Sequence, residues 1–172
     1  PPLAPLPAEL MSTPSRQRDA DPAGPGGAET EVDAVDRAVD ALRAWGIRHA
    51  MVNVGGDLYA LGSAPGGDPW RVGIQSPQDP GARIGVVEVR DRAIATSGDY
   101  EQFFRYRGVR YHHLMDPATA APRRAAVHSV TVEADCCIDA DAAATAVFGM
   151  TSERARAVLA VRAHGARVVS WG

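Results

Sequence analysis

Asp141 and Thr145 stand four residues apart in the Ala-rich run Asp139-Ala140-Asp141-Ala142-Ala143-Ala144-Thr145-Ala146. Alanine is the strongest helix former, and in a helix a residue and its fourth successor lie one above the other on the same face. A carboxylate and a hydroxyl then point the same way, close to a helix N-terminus whose backbone N–H groups carry partial positive charge. That set suits a hard, oxygen-seeking cation bridged to a phosphate, and magnesium with a pyrophosphate is the natural pair. A plainer reading stands beside it, with Asp139 or Asp141 as an N-cap and Thr145 as an ordinary helical residue.

Three further clusters carry polar chemistry. In Asn53-Val54-Gly55-Gly56-Asp57 the paired glycines permit positive φ and close backbone approach, so their N–H groups can meet a phosphate or the edge of a flavin ring; the same residues also make a simple hairpin turn. Thr96-Ser97-Gly98-Asp99-Tyr100-Glu101 offers hydroxyls and carboxylates at a second turn, either to order a ribityl or phosphate group or as turn chemistry alone. The third cluster is Tyr111-His112-His113-Leu114-Met115-Asp116-Pro117. Strand alternation sends His112 and His113 to opposite faces, which argues against one shared metal. One of the two, with Asp116 just beyond the strand end, can make an oriented base; a surface histidine pair is the alternative. Zinc-protease HExxH, Walker, GxSxG and GxGxxG patterns are absent.

The elements that must position these groups follow from periodicity. Val32, Val35, Val39, Leu42 and Trp45 recur at helical spacing before Gly46, which predicts an amphipathic helix with a glycine stop. Ile47 to Val54 and Leu58 to Leu61 read as a hairpin around the glycine pair, Trp70 to Ile74 and Ile84 to Val89 as two more strands, and Ala93 to Thr96 as the strand entering the second turn. Phe103 to Met115 has strand character, 116–122 is a Pro-bounded loop, and Val127 to Val132 feeds the Asp141 helix. A last helix is expected from an N-cap at Ser152 to about Ala163, with Gly165 ending it and Ala166 to Trp171 closing as a strand. The whole predicts an α+β fold with a mainly antiparallel sheet.

The 172 residues allow one domain with a real core, preceded over residues 1–30 by a Pro/Gly/Ala-rich leader too poor in apolar groups to order itself. A net charge of −3 supplies no basic surface for nucleic acid, and no run approaches the roughly 18 apolar residues of a membrane span. All 18 cations are arginine, so arginine must make any anion contact from a side chain. The two cysteines, Cys136 and Cys137, are adjacent and form no disulfide or metal framework. The chain opens on Pro1 rather than Met, the mark of a processed chain or a piece of a longer one.

In order along the chain, these clusters resemble the ApbE family, the FAD:protein FMN transferases. The matching pieces are Ala34-Val35-Asp36, Gly46 through Gly62 with its Val52-Asn53-Val54-Gly55-Gly56-Asp57, Trp70-Arg71-Val72-Gly73-Ile74, Ala93 to Glu101, Arg110 to Pro122, Ser129 to Val132, and Ala140-Asp141 to Ala146. The resemblance implies a magnesium-dependent transferase that takes FAD as substrate and moves FMN onto a threonine of an acceptor flavoprotein, releasing AMP. It places Asp141 and Thr145 on the metal, His113 (with Asp116) on proton transfer, and Asn53, Gly55, Gly56, Asp57, Ser97, Gly98 and Asp99 on the flavin. It also implies that 31–172 is the C-terminal portion of an N-terminally truncated, ApbE-like (T-fold-related) domain. The alternatives are a magnesium-dependent pyrophosphatase splitting FAD to FMN and AMP, or an inactive flavin-binding remnant. Ala120 stands where the family usually has glycine, and Glu31-Val32-Asp33-Ala34 where it has a lysine-glycine approach that contributes a backbone ligand to the metal. The chain as given points to the cytoplasm, with a periplasmic or membrane-associated setting, as in many family members, as the alternative.

Overall fold

In a computed structural model of the protein, residues 31–163 and 165–172 are described; the leader expected over residues 1–30 lies outside them. Helix α1 (Glu31–Ala44) is followed by nine strands: β1 (Ala50–Val54), β2 (Asp57–Leu61), β3 (Trp70–Gln75), β4 (Arg83–Val89), β5 (Arg92–Gly98), β6 (Phe103–Tyr106), β7 (Val109–His112), β8 (Met115–Asp116) and β9 (Ala121–Pro122). Then come β10 (Ser129–Ala134), helix α2 (Cys137–Val147), helix α3 (Ser152–Arg162) and β11 (Arg167–Trp171). The fold is α+β, as expected. A five-stranded sheet in the order β1-β2-β5-β10-β11 is antiparallel at every pairing, and three two-stranded ladders, β3–β4, β6–β7 and β8–β9, surround it.

Alternation along the central strands builds a core on each side of the sheet. Tyr59 and Leu61 of β2, Ala93 and Ala95 of β5, and Ala134 of β10 pack with Val35 and Val39 of α1 and with Cys137 and Ala140 of α2. Leu58, Ala60 and Ile94 face the other way, onto Val89, Trp70 and Val72 of the β3–β4 ladder. Further along, Val130 and Val132 meet Ala143, Ala144, Val147 and Phe148 and the α3 residues Ala155 and Leu159. Val130 and Val132 are wholly buried, each contributing about 1.5–3 kcal/mol from water exclusion. Small alanines let α2 lie close on β5 and β10, and that close seat brings Thr145 to Ser97.

The glycine stop of α1 closes as a Schellman motif: Gly46 has φ +77°, its N–H donates to Arg43 O, and the Ile47 N–H reaches back to Leu42 O. Ile47 is thus tied to the helix end, and β1 begins at Ala50 rather than at Ile47. Val54 pairs with Asp57, which leaves Gly55 and Gly56 as a two-residue turn with φ of +63° and +109°, both in the region that favours glycine. The strand character expected from Phe103 to Met115 resolves into the β6–β7 hairpin and the short β8. Arg107 and Gly108 both take positive φ between the paired Tyr106 and Val109, a break that only Gly108 signals in the sequence. The N-cap of α3 is Thr151, not Ser152; its hydroxyl accepts from Arg154 N–H. No helix among the described residues is long and apolar enough to cross a membrane.

Candidate active site

Helix α2 starts earlier than its alanines suggest, which changes the expected anion site. Its N-cap residue, Cys136, makes no side-chain cap bond. The first two N–H groups, of Cys137 and Ile138, donate instead to Oδ1 and Oδ2 of Asp36 at 2.8 and 3.1 Å. Asp36 lies on α1, about a hundred residues away in the chain, and acts as a cap from a different element. The helix N-terminus is therefore claimed by a carboxylate of the protein itself. Asp141 sits on the second turn, neither an N-cap nor beside free N–H groups.

The C-terminal end of α2 is held in the same manner. Nη1 of Arg123 donates to Thr145 O (3.0 Å), Ala146 O (3.1 Å) and Phe148 O (2.8 Å), a cation at the negative end of the helix. The backbone of Arg123 is bound to the histidine segment: its N–H donates to Leu114 O, and its carbonyl meets Nε2 of His112 at 3.0 Å. His112 is buried, with its ring edge-on to Phe148, whereas His113 is exposed, with Nδ1 3.3 Å from Gln102 O. The alternation expected for the two histidines is what the structure has.

A polar cavity of about 340 Å³ opens where the Gly55–Gly56 turn, β3, the end of β5, the segment after it and one side of α2 meet. Asn53, Gly55, Gly56, Asp57, Ser97, Gly98, His113, Asp141 and Thr145 all line it. Segments more than eighty residues apart in sequence converge here. Two of the expected residues lie elsewhere. Asp99 is absent from the lining; its carboxylate meets His128 Nδ1 at 2.9 Å and Arg110 Nη1 at 3.5 Å. Asp116 is also outside, and its Oδ1 accepts from Ala118 N–H at 2.8 Å, an Asx-turn that shapes the loop behind His113.

Around the position expected for a metal, Asp141, Thr145 and Ser97 offer oxygens. Thr145 Oγ1 and Ser97 Oγ are 3.0 Å apart, joining α2 to the end of β5. Burial raises the Asp141 carboxyl above its ordinary range, and the nearby His113 works in the opposite sense. Gly98 is required by space: a Cβ there would stand 2.5 Å from the Tyr100 ring and 3.2 Å from His128 O. Burial also raises the Tyr100 phenol. Among the described residues, the cavity lining includes the carboxylates Asp57, Glu101 and Asp141 and no arginine. A phosphate entering it needs a mobile cation for charge balance. The described residues hold no cluster of three His, Cys, Asp or Glu groups able to form a protein cage for a metal. One carboxylate with one or two hydroxyls does fit magnesium, which commonly keeps waters and takes the remaining oxygens from substrate phosphates.

The sequence alone assigns no role to Arg123, and places Asp36 only within the family-matching piece Ala34-Val35-Asp36. Asp36 had a signal, since it falls within the Val32/Val35/Val39 stripe, where a carboxylate needs a partner. Arg123, in Pro122-Arg123-Arg124, had none.

The sequence model of the ApbE family matches residues 30–169, and the chain belongs to that family. It is 42% identical over 125 residues to an FAD:protein FMN transferase of Vibrio cholerae, covering 72% of this chain and 37% of that protein. A Treponema pallidum protein of the same description is 41% identical over 133 residues, covering 72% and 37%. Among solved structures, the ApbE protein of Thermotoga maritima superposes with a TM-score of 0.70 at 35% identity, over 80% of this chain and 44% of that one. The flavin transferase ApbE of V. cholerae does so with 0.64 at 36% identity, over 81% and 47%. The chain thus spans less than half the length of these relatives.

Proposed function

We propose that the cavity binds FAD with magnesium and transfers its FMN half to a threonine hydroxyl of an acceptor flavoprotein, AMP being the leaving group. The observation that carries the reading is the convergence of His113, Asp141 and Thr145 with the glycine turn on one polar cavity. Family membership supports the same chemistry, since relatives are named FAD:protein FMN transferases. In the transfer, the threonine oxygen bonds to the phosphorus of the FMN half as that phosphorus loses its bridging oxygen, which departs with AMP. With Nδ1–H donating to Gln102 O, His113 leaves Nε2 to take the threonine proton. Asp141 and Thr145 would hold the cation, and the Ser97 hydroxyl fixes the Thr145 rotamer. Bound there, magnesium supplies charge neutralisation of the pyrophosphate as the leaving group forms. The turn N–H groups of Gly55 and Gly56 offer donors to the flavin or its phosphate.

One observation favours a second reaction at the same site: His113 is exposed, so water can take the place of the threonine and yield FMN and AMP. Incubation with FAD, magnesium and a flavoprotein acceptor domain, followed by AMP chromatography and in-gel flavin fluorescence, separates the two. Transfer gives AMP in step with a fluorescent acceptor band, and hydrolysis gives AMP with no band. Absence of AMP from a folded protein, with the acceptor domain present or left out, refutes the proposal.

A further inference from the structure

An apolar groove of about 520 Å³ lies on the other side of His113 from the flavin cavity. Phe103, Phe104, Tyr111, Met115 and Pro122 line it, and Gln102 and His113 belong to the walls of both cavities. Phe103, Phe104 and Met115 are 40%, 48% and 43% exposed, so three large apolar groups meet solvent around one concavity. The β6–β7 hairpin that carries the aromatics pairs with no other strand among the described residues, so its edges remain open to an extended chain.

The charge beside the groove is one-sided. Arg105 and Arg110 face each other directly across the hairpin, an opposition of like charges that disfavours the ladder. Both guanidinium groups lie over the Phe103 ring, at 6.0 and 4.3 Å from its centroid, and Arg107 lies over Tyr106 at 5.3 Å. The carboxylates nearest in sequence are at the hairpin base: Asp99 is engaged by His128 and Arg110, and Glu101 lines the flavin cavity. Arg105 and Arg107 have no ion-pair partner among the described residues. A carboxylate brought between Arg105 and Arg110 would relieve their repulsion.

We propose that this groove seats the acceptor protein: an extended segment that buries one apolar side chain among Phe103, Phe104 and Met115 and sets a neighbouring carboxylate on Arg105. The proposal rests on the transfer reading above, because the shared His113 wall is what places such a segment's hydroxyl beside the flavin cavity. A second copy of the chain is disfavoured, since a two-fold contact here would set the arginines against their own copies. A lipid surface is also disfavoured, since it is met by protruding apolar groups and this site is a concavity.

The probes are fluorescein-labelled peptides that contain one threonine and differ in two features, a leucine near it (or serine instead) and two glutamates (or two lysines). Anisotropy is expected to show that the Leu/Glu peptide binds and weakens at high salt. The serine and lysine forms should bind at least about tenfold more weakly. Arg105→Glu, on the exposed hairpin, should weaken the Leu/Glu peptide by roughly tenfold and improve the lysine form. Its FAD titration with magnesium should match the wild type. Phe104→Ser tests the apolar contact separately. Equal binding of all peptides, or none by a protein that binds FAD, overturns the proposal. So does self-association in sedimentation that Arg105→Glu abolishes, or binding to phosphatidylserine vesicles without peptide preference. Peptide discrimination without any FAD binding would instead overturn the transferase reading and leave the groove assignment standing.

Discussion

Asp36 is the residue whose removal separates support of the site from the site itself. Asp36→Ala takes away both acceptors for the Cys137 and Ile138 N–H groups and the negative charge at the α2 N-terminus, where Cys136 offers no substitute. Hydrogen bonds to charged groups contribute about 1.5–3 kcal/mol, and the charge–dipole attraction about 0.3–1 kcal/mol. Water reaches Ile138, which is 46% exposed, so one of the two N–H groups is resolvated and the lower half of the range applies. The expected loss is ~2–3 kcal/mol, or about 5–10 °C in Tm for a domain of this size. Asp36→Asn keeps one acceptor oxygen and should lose about half as much. Chemical denaturation and amide exchange at Cys137 and Ile138 are the assays. The cap also sets the start of the helix that carries Asp141, so magnesium-dependent FAD affinity should fall in the same order, wild type above Asn above Ala. Two variants that melt with the wild type and keep protected amides would refute the reasoning.

Three other outcomes are expected. Burial raises the folded-state pKa of Asp141 above its unfolded value of 3.8, so without metal the folded state binds the proton more tightly and loses stability as pH rises through that window. Asp141→Asn should then be more stable than wild type at neutral pH in EDTA, with the gap closing as pH falls toward 3.8; an unchanged or lower Tm at neutral pH would contradict this. Ala120 holds φ +51° in the loop behind His113, so Ala120→Gly should stabilise the protein by about 0.5–1 kcal/mol in urea unfolding. Arg123→Ala, which frees three carbonyls at the end of α2, should lower Tm and weaken magnesium-dependent FAD binding, and Arg123→Lys should restore only part of each because the lysine nitrogen ends one bond short of the Nη1 that makes all three contacts.

The parts of the site that were legible in the sequence are those encoded locally. The Gly55–Gly56 turn, the Gly46 stop and the opposed faces of His112 and His113 follow from the φ demands and alternation of neighbouring residues. Asp141 and Thr145 share a face by helical spacing, whichever residue begins the helix. What stayed hidden depends on contacts between distant segments. The start of α2 is set by Asp36, so the Ala-rich run placed it too late. Asp99 and Asp116 have the residue types of a binding site, but His128, Arg110 and the Ala118 N–H claim their carboxylates. The hairpin within 103–115 is only half legible because Arg107, a residue with no preference for positive φ, occupies half its turn.

In the proposed reaction, Asp141 and Thr145 hold the cation through which FAD binds. Calorimetric titration of FAD into the full chain, with magnesium and with EDTA, on the wild type and on Asp141→Ala, tests it most directly. The expected result is binding that requires magnesium and is lost in Asp141→Ala while the variant remains folded. Wild-type binding indifferent to magnesium, or an Asp141→Ala protein that binds FAD as tightly as the wild type, would contradict it.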